Sequence, residues 1–143
     1  MIVRIGLALL ALNELLVGAW NQFAPESFYE NFPTVSLTPP FSEHYARDFG
    51  GATLGIAVLL VIAVIRPRPV IVGMAALAYS VFAVPHFAFH LEHLEGADAG
   101  QTAFLVAGNG VVALIGVLLV VWAVVQNSHA KSHGNRRDLL PGG

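Results

Sequence analysis

A chain with four apolar runs of bilayer-spanning length has few folds open to it. Ile2 to Trp20, Tyr45 to Ile65, Val70 to about His93 and Gln101 to Gln126 are such runs. Each is close to the ~20 mostly apolar residues that cross the hydrocarbon core of a bilayer as a helix. Lipid offers no partner to a bare backbone N–H or C=O, so a spanning segment must satisfy its own hydrogen bonds, as a helix does. The expected fold is therefore all-α: a four-helix transmembrane antiparallel bundle forming one domain over residues 1–126. Residues 127–143 are polar and are expected to form a disordered tail.

The rest of the composition agrees. Charged residues make up 11% of the 143 residues, against about 25% in a soluble domain. A net charge of −2 and the lack of a basic aromatic patch argue against nucleic acid as a partner. With no cysteine, disulfides, thiol catalysis, iron–sulfur clusters and cysteine-type zinc sites are excluded. Val17-Gly18-Ala19 would serve as a signal-peptide cleavage site. However, Asn13 and Glu14 break the apolar run in a way that a signal sequence avoids, so the first run reads as a span.

Between the first two spans lies an outer loop, residues 21–44, with four prolines and scattered aromatics. Pro25 suits a helix start, which predicts a short interfacial helix over Pro25 to Asn31. Loops of this length on a compact scaffold are often lids or binding loops. Basic residues set the orientation. Arg4, Arg66, Arg68, Lys131, Arg136 and Arg137 fall on one side of an up-down arrangement and only Arg47 on the other. Both termini are thus expected in the cytoplasm, with the loop outside, in a multi-pass protein of the cell membrane. Gly51 and Gly55 are expected to support close helix contact as a small-xxx-small pair, and Gly108, Gly110 and Gly116 to be packing positions.

The polar residues inside the spans are the informative ones, because ionisable groups in hydrocarbon are costly and usually functional. Span three ends in PHFAFHLEH, where His86, His90 and His93 share one helix face, just after the helix-kinking Pro85. A rise of 1.5 Å per residue puts Glu14 roughly 9 Å inside span one, His86 roughly 10 Å below His93, and Asn109 roughly 12 Å below Gln101. Asp48 lies about a turn inside span two. Each span thus offers one polar side chain in its outer half, which predicts a polar pocket opening outward beneath the loop. Singly, Asn109 and His93 suit plain structural roles; Glu14 with His86 points to function, or to a neutralising pair with each other or with Arg47.

Three uses of such a pocket are open. His44, His86, His90 and His93, with Glu14, would offer ligands to Zn, Fe, Cu or Mn. Yet neither a His-Glu-x-x-His motif nor the Glu-x-x-His pair of di-iron bundles is present. Glu14, Asp48 and His86 would suit acid–base catalysis on a lipid-soluble substrate, as in an isomerase or cyclase. Asn13, Arg47, Tyr79, Phe82 and Asn109 would then bind the ligand, and the same pocket would suit a quinone, isoprenoid or sterol-like molecule. The third use involves no small molecule: the polar layer would fix helix register in an accessory subunit, a homo-oligomer or a larger membrane complex.

EHYARDFGG, then RPRP, then YSVFAVPHFAFHLEHLEG (about Phe41 to Gly96) resemble small prokaryotic four-helix membrane proteins of the loosely DoxX-like kind. The resemblance implies the four-span architecture and a loose link to quinone and redox chemistry. The three-histidine run is not part of the general DoxX pattern, so the resemblance implies no catalytic role for it.

Overall fold

The computed structural model describes residues 1–37 and 40–138. The chain is all-α. Helix α1 spans Ile2–Phe23, the short α2 Pro25–Asn31, α3 Glu43–Ile65 and α4 Pro69–Glu92. Helix α5, Ala99–Ala103, runs through one π-helical turn, Phe104–Gly108, into α6, Asn109–Asp138. Four of these stretches are long and apolar enough to cross a membrane: Ile2–Phe23, Glu43–Ile65, Pro69–Glu92 and Ala99–Ala130.

The boundaries follow from local chemistry. Pro25 and Pro69 stand in the first turns of α2 and α4, where a missing N–H costs nothing. Ser42 caps α3 by accepting from the Tyr45 N–H at 3.4 Å. Asp98 and Gln101 form a reciprocal capping box, with bonds of 2.8 and 2.9 Å, after a turn in which Gly96 takes a φ of +80°. The interfacial helix has the expected bounds. Helix α1 runs past Trp20, because no breaker intervenes before Pro25. Helix α6 likewise runs past Gln126, where a disordered tail was expected to begin; no proline follows until Pro141, and residues 139–143 of that tail lie outside the described residues.

Helix α1 packs chiefly on α3, and α4 on α6; the two pairs meet mainly along α3 and α4, and more lightly along α1 and α6. Leu7, Leu10, Leu60, Val72 and Tyr79 are fully buried in a core completed by small residues such as Ala63, Ala76 and Ala123. Large apolar side chains cover the outside of every span: Leu9, Leu12 and Leu16; Val58 and Ile62; Met74, Leu77 and Val81; Leu114, Leu118 and Val121. Apolar surface of that extent is not left to water, and lipid is the medium that matches it.

Glycines make the closest helix contacts, but not all at the expected positions. A Cβ at Gly50 would stand 2.6 Å from the Gln22 nitrogen and 2.9 Å from the Gly18 carbonyl oxygen, so Gly18 and Gly50 form the α1–α3 contact. Gly55 and Gly108 have open space where a Cβ would be, and Gly51 meets only the Gln22 side chain. Gly110 and Gly116 do pack, against Phe87 and against Tyr79 with Ser80.

Candidate functional site

The core fills the half of the bundle that holds the termini. In the other half the four long helices leave a cavity of about 490 Å³. Its wall comes from Asn13, Glu14, Val17 and Asn21 on α1, Ala46 and Phe49 on α3, and Tyr79, Phe82, Ala83, His86 and His90 on α4. Leu105, Gly108, Asn109 and Val112 close the fourth side. The connection after α1 folds over this end of the bundle and adds Phe28, Phe32, Thr34 and Val35.

The lid is an aromatic assembly. Phe28 and Phe32 stack at 4.7 Å, Trp20 meets both rings edge-on, and Phe32 meets Phe104 across the mouth at 6.1 Å. Trp20 Nε1 donates to Ser27 Oγ at 3.2 Å, pinning α2 to α1. Thr34, part of this lid, takes a φ of +75°, unfavourable for a β-branched residue. Its hydroxyl bonds the neighbouring Pro33 carbonyl. A second space of about 320 Å³ lies between α2 and Pro40–Ser42, and shares Asn21, Phe28, Val35, Tyr45 and Ala46 with the main cavity.

Glu14 belongs to the deep end. It is 1% exposed, and its Oε1 accepts from Asn13 Nδ2 at 3.1 Å. Its Oε2 has no hydrogen-bond partner, the one buried side-chain polar atom in that state among the described residues. Tyr79, itself buried, lines the same cavity as Glu14. Asn21 and Asn109 each donate an amide hydrogen to a carbonyl one turn back, Val17 at 3.0 Å and Leu105 at 2.9 Å. The Asn109 bond spans the π-helical turn, whose widened backbone places Leu105 and Asn109 together in the wall; such turns recur at functional sites.

Most of the expected site residues meet here: Glu14, His86, Asn13, Tyr79, Phe82, Asn109 and His90. Asp48 does not. It lies on the outward face of α3, 100° round the helix from Phe49, and pairs at 3.3 Å with His44, both well exposed. The expected convergence of Glu14, Asp48 and His86 therefore fails at Asp48. Arg47 is also outside the wall; it pairs with Glu43 at 2.8 Å and bonds the Gln22 carbonyl. No ion pair or hydrogen bond joins Glu14 to His86 or Arg47 among the described residues.

The histidines do not form the expected metal set. His86 stacks on Phe82 at 5.1 Å and meets the His90 ring edge-on at 4.6 Å. His93 stacks on Phe89 at 3.9 Å, with Nδ1 2.9 Å from the Phe89 carbonyl oxygen. His44 lies on a different helix, α3, against Asp48. Among the described residues no three His, Cys, Asp or Glu side chains come together as a metal group. Helical spacing aligned three rings on one side of α4, but packing turned them toward aromatic neighbours rather than to a common point.

Sequence reasoning misses Asn21, Phe49 and Ala83 as wall, whereas the connection after α1, expected as a lid or binding loop, contributes Phe28, Phe32, Thr34 and Val35. Asn21 was placed in the loop, yet it is buried in the last turns of the extended α1. Phe49 follows Asp48, and only the rotation of α3 decides which of the two faces inward.

Over residues 2–88 the chain matches a family described as a domain of unknown function, DUF4345, and it belongs to that family. The matched region holds all of α1 and α3 and most of α4, and so Asn13, Glu14, Asn21, Tyr79, Phe82 and His86. No curated protein and no solved structure matches the chain.

Proposed function

We propose that this member of the DUF4345 family is a multi-pass membrane protein that binds a small, largely apolar molecule in the cavity between its four spans. The observation that carries the reading is the cavity itself: about 490 Å³, walled mainly by aromatic and aliphatic side chains, with a few polar groups at defined points. Sites for small hydrophobic ligands have this size and this ratio of apolar wall to polar anchor. Isoprenoid, quinone and sterol-like molecules all belong to the class, and the surrounding lipid would deliver them. Glu14, with Asn13 and Tyr79, would anchor the polar end; Phe28, Phe32, Phe49 and Phe82 would hold the body. Acid–base turnover at Glu14 and His86 is an extension of the same reading, without Asp48.

The orientation proposed with it has both termini in the cytoplasm and the lid outside, because Arg4, Arg66, Arg68 and Lys131 gather on one side. The spans would run antiparallel.

Equilibrium binding of a labelled isoprenoid alcohol or prenylquinone to the detergent-solubilised protein tests the reading. Saturable binding that Ala46→Phe abolishes is expected, because Ala46 lines both spaces. Partition no greater than into empty micelles would refute it. The runner-up, an accessory subunit whose polar groups only fix helix register, rests on the same buried Glu14 and predicts a co-purifying partner and no saturable ligand.

A further inference from the structure

We infer that the molecule bound in the cavity is a lipophilic amine, whose ammonium group pairs with Glu14 at the deep end while its apolar body lies toward the aromatic lid. The inference rests on the ligand-binding reading above and narrows its ligand class.

The argument starts from the carboxyl. Buried charges in proteins are paired and hydrogen-bonded, because removal from water is otherwise too costly. Glu14 is buried, yet its Oε2 has no partner and its Oε1 has only a neutral amide donor. No lysine or arginine belongs to the cavity wall among the described residues. Arg47 is committed to Glu43 and the Gln22 carbonyl on the outside. His86 and His90 are the wall's basic groups, and each contacts an aromatic ring rather than the carboxyl. The site therefore has an acceptor without a counter-ion.

The remaining wall fits a cation better than a neutral head. Phe49 and Phe82 meet at 5.6 Å on the α3–α4 side, and Tyr79 adds a third ring to the same wall. Aromatic faces attract ammonium groups when water is excluded. The amide oxygens of Asn13, Asn21 and Asn109 add acceptors, while their nitrogens are already donating to Glu14, Val17 and Leu105. An ammonium carries several N–H donors and no acceptor, which complements that inventory. The reach from Asn21 to Glu14 along α1 is about 10 Å at 1.5 Å per residue, long enough for a head at the bottom and a hydrocarbon body above.

The test compares 1-adamantylamine with 1-adamantanol, which share a hydrocarbon cage and differ in the head. Each is measured by equilibrium dialysis against the detergent-solubilised full chain at pH 7.5 and corrected for partition into empty micelles. The amine is expected to bind at least tenfold more tightly than the alcohol. In Glu14→Gln the ratio is expected to fall to about one, and Glu14→Asp should restore a preference for the amine. Circular dichroism confirms that the variants are folded, and the wild-type ratio needs no variant. Equal binding of amine and alcohol by the wild type would overturn the amine inference and leave the cavity reading standing. Binding of neither, with no binding of farnesol, would overturn both.

Discussion

Gly50 rests directly on the backbone of Gly18: a Cβ on Gly50 would lie 2.9 Å from the Gly18 carbonyl oxygen and 2.6 Å from the next turn's Gln22 nitrogen. This contact draws α1 and α3 together at the level of the cavity wall, between Glu14 and Asn21 along α1, and backbone atoms cannot rotate aside as a side chain can. Gly50→Ala is therefore expected to destabilise the bundle by about 1–3 kcal/mol, as overpacking does. Gly55→Ala, into open space on the same helix, should be neutral or gain up to about 1 kcal/mol from helix propensity. Unfolding in mixed micelles compares the two; equal effects would show that the seam lies elsewhere.

Glu14 separates the binding role from a structural one. A buried oxygen without a partner costs about 1–3 kcal/mol, and an apolar replacement of similar length removes that cost. Glu14→Met is expected to raise the thermal midpoint by several degrees while abolishing capture of the amine probe. A register-fixing Glu14 would give the reverse, a lowered midpoint, and the accessory-subunit reading would then be preferred.

Asp48 and His44 serve as the control pair. Both are exposed and joined at 3.3 Å on the outward face of α3. Exposed pairs contribute at most about 1 kcal/mol. Asp48→Asn and His44→Ala are expected to leave ligand affinity within about twofold of wild type and stability within that limit. A tenfold loss of affinity in either would bring α3's outer face back into the site.

Gly116 controls the deep end from behind. A Cβ there would stand 2.8 Å from Tyr79 Cδ1 and 2.8 Å from Ser80 Oγ. Gly116→Ala should push the Tyr79 ring toward Glu14 and weaken ligand binding on the order of tenfold, the loss that ~1.4 kcal/mol produces. Tyr79→Phe, which keeps the ring and removes the hydroxyl, should have a smaller effect. Binding isotherms of the two variants decide the order.

The absence of cysteine makes the orientation directly testable. Ser36→Cys in the lid region should react with a membrane-impermeant maleimide added to intact cells. Ala130→Cys should react only after lysis. Labelling in the opposite order would invert the proposed topology.

How much of this was readable in advance differs by level. Hydropathy located all four spans, and Pro25 fixed α2, because a bilayer imposes a length on apolar runs and proline suits the first helical turn. The same rise along each helix placed Glu14, His86 and Asn109 within reach of one cavity. Rotation about the helix axis was beyond it. Asp48 and Phe49 are neighbours in sequence, yet one faces outward and the other inward, and each successive residue turns 100°. The amphipathic pattern that would fix that angle is weak where a helix meets lipid on one side and apolar neighbours on the other.

The sequence alone determined an all-α protein with four stretches long and apolar enough to span a membrane, because that property depends on composition and length. Tertiary packing decided which polar side chains share a cavity. It set Gly18 against Gly50, widened the backbone at Phe104–Gly108, and left Glu14 enclosed with no cationic partner among the described residues. Such outcomes depend on which helix faces meet, and no single segment contains that information.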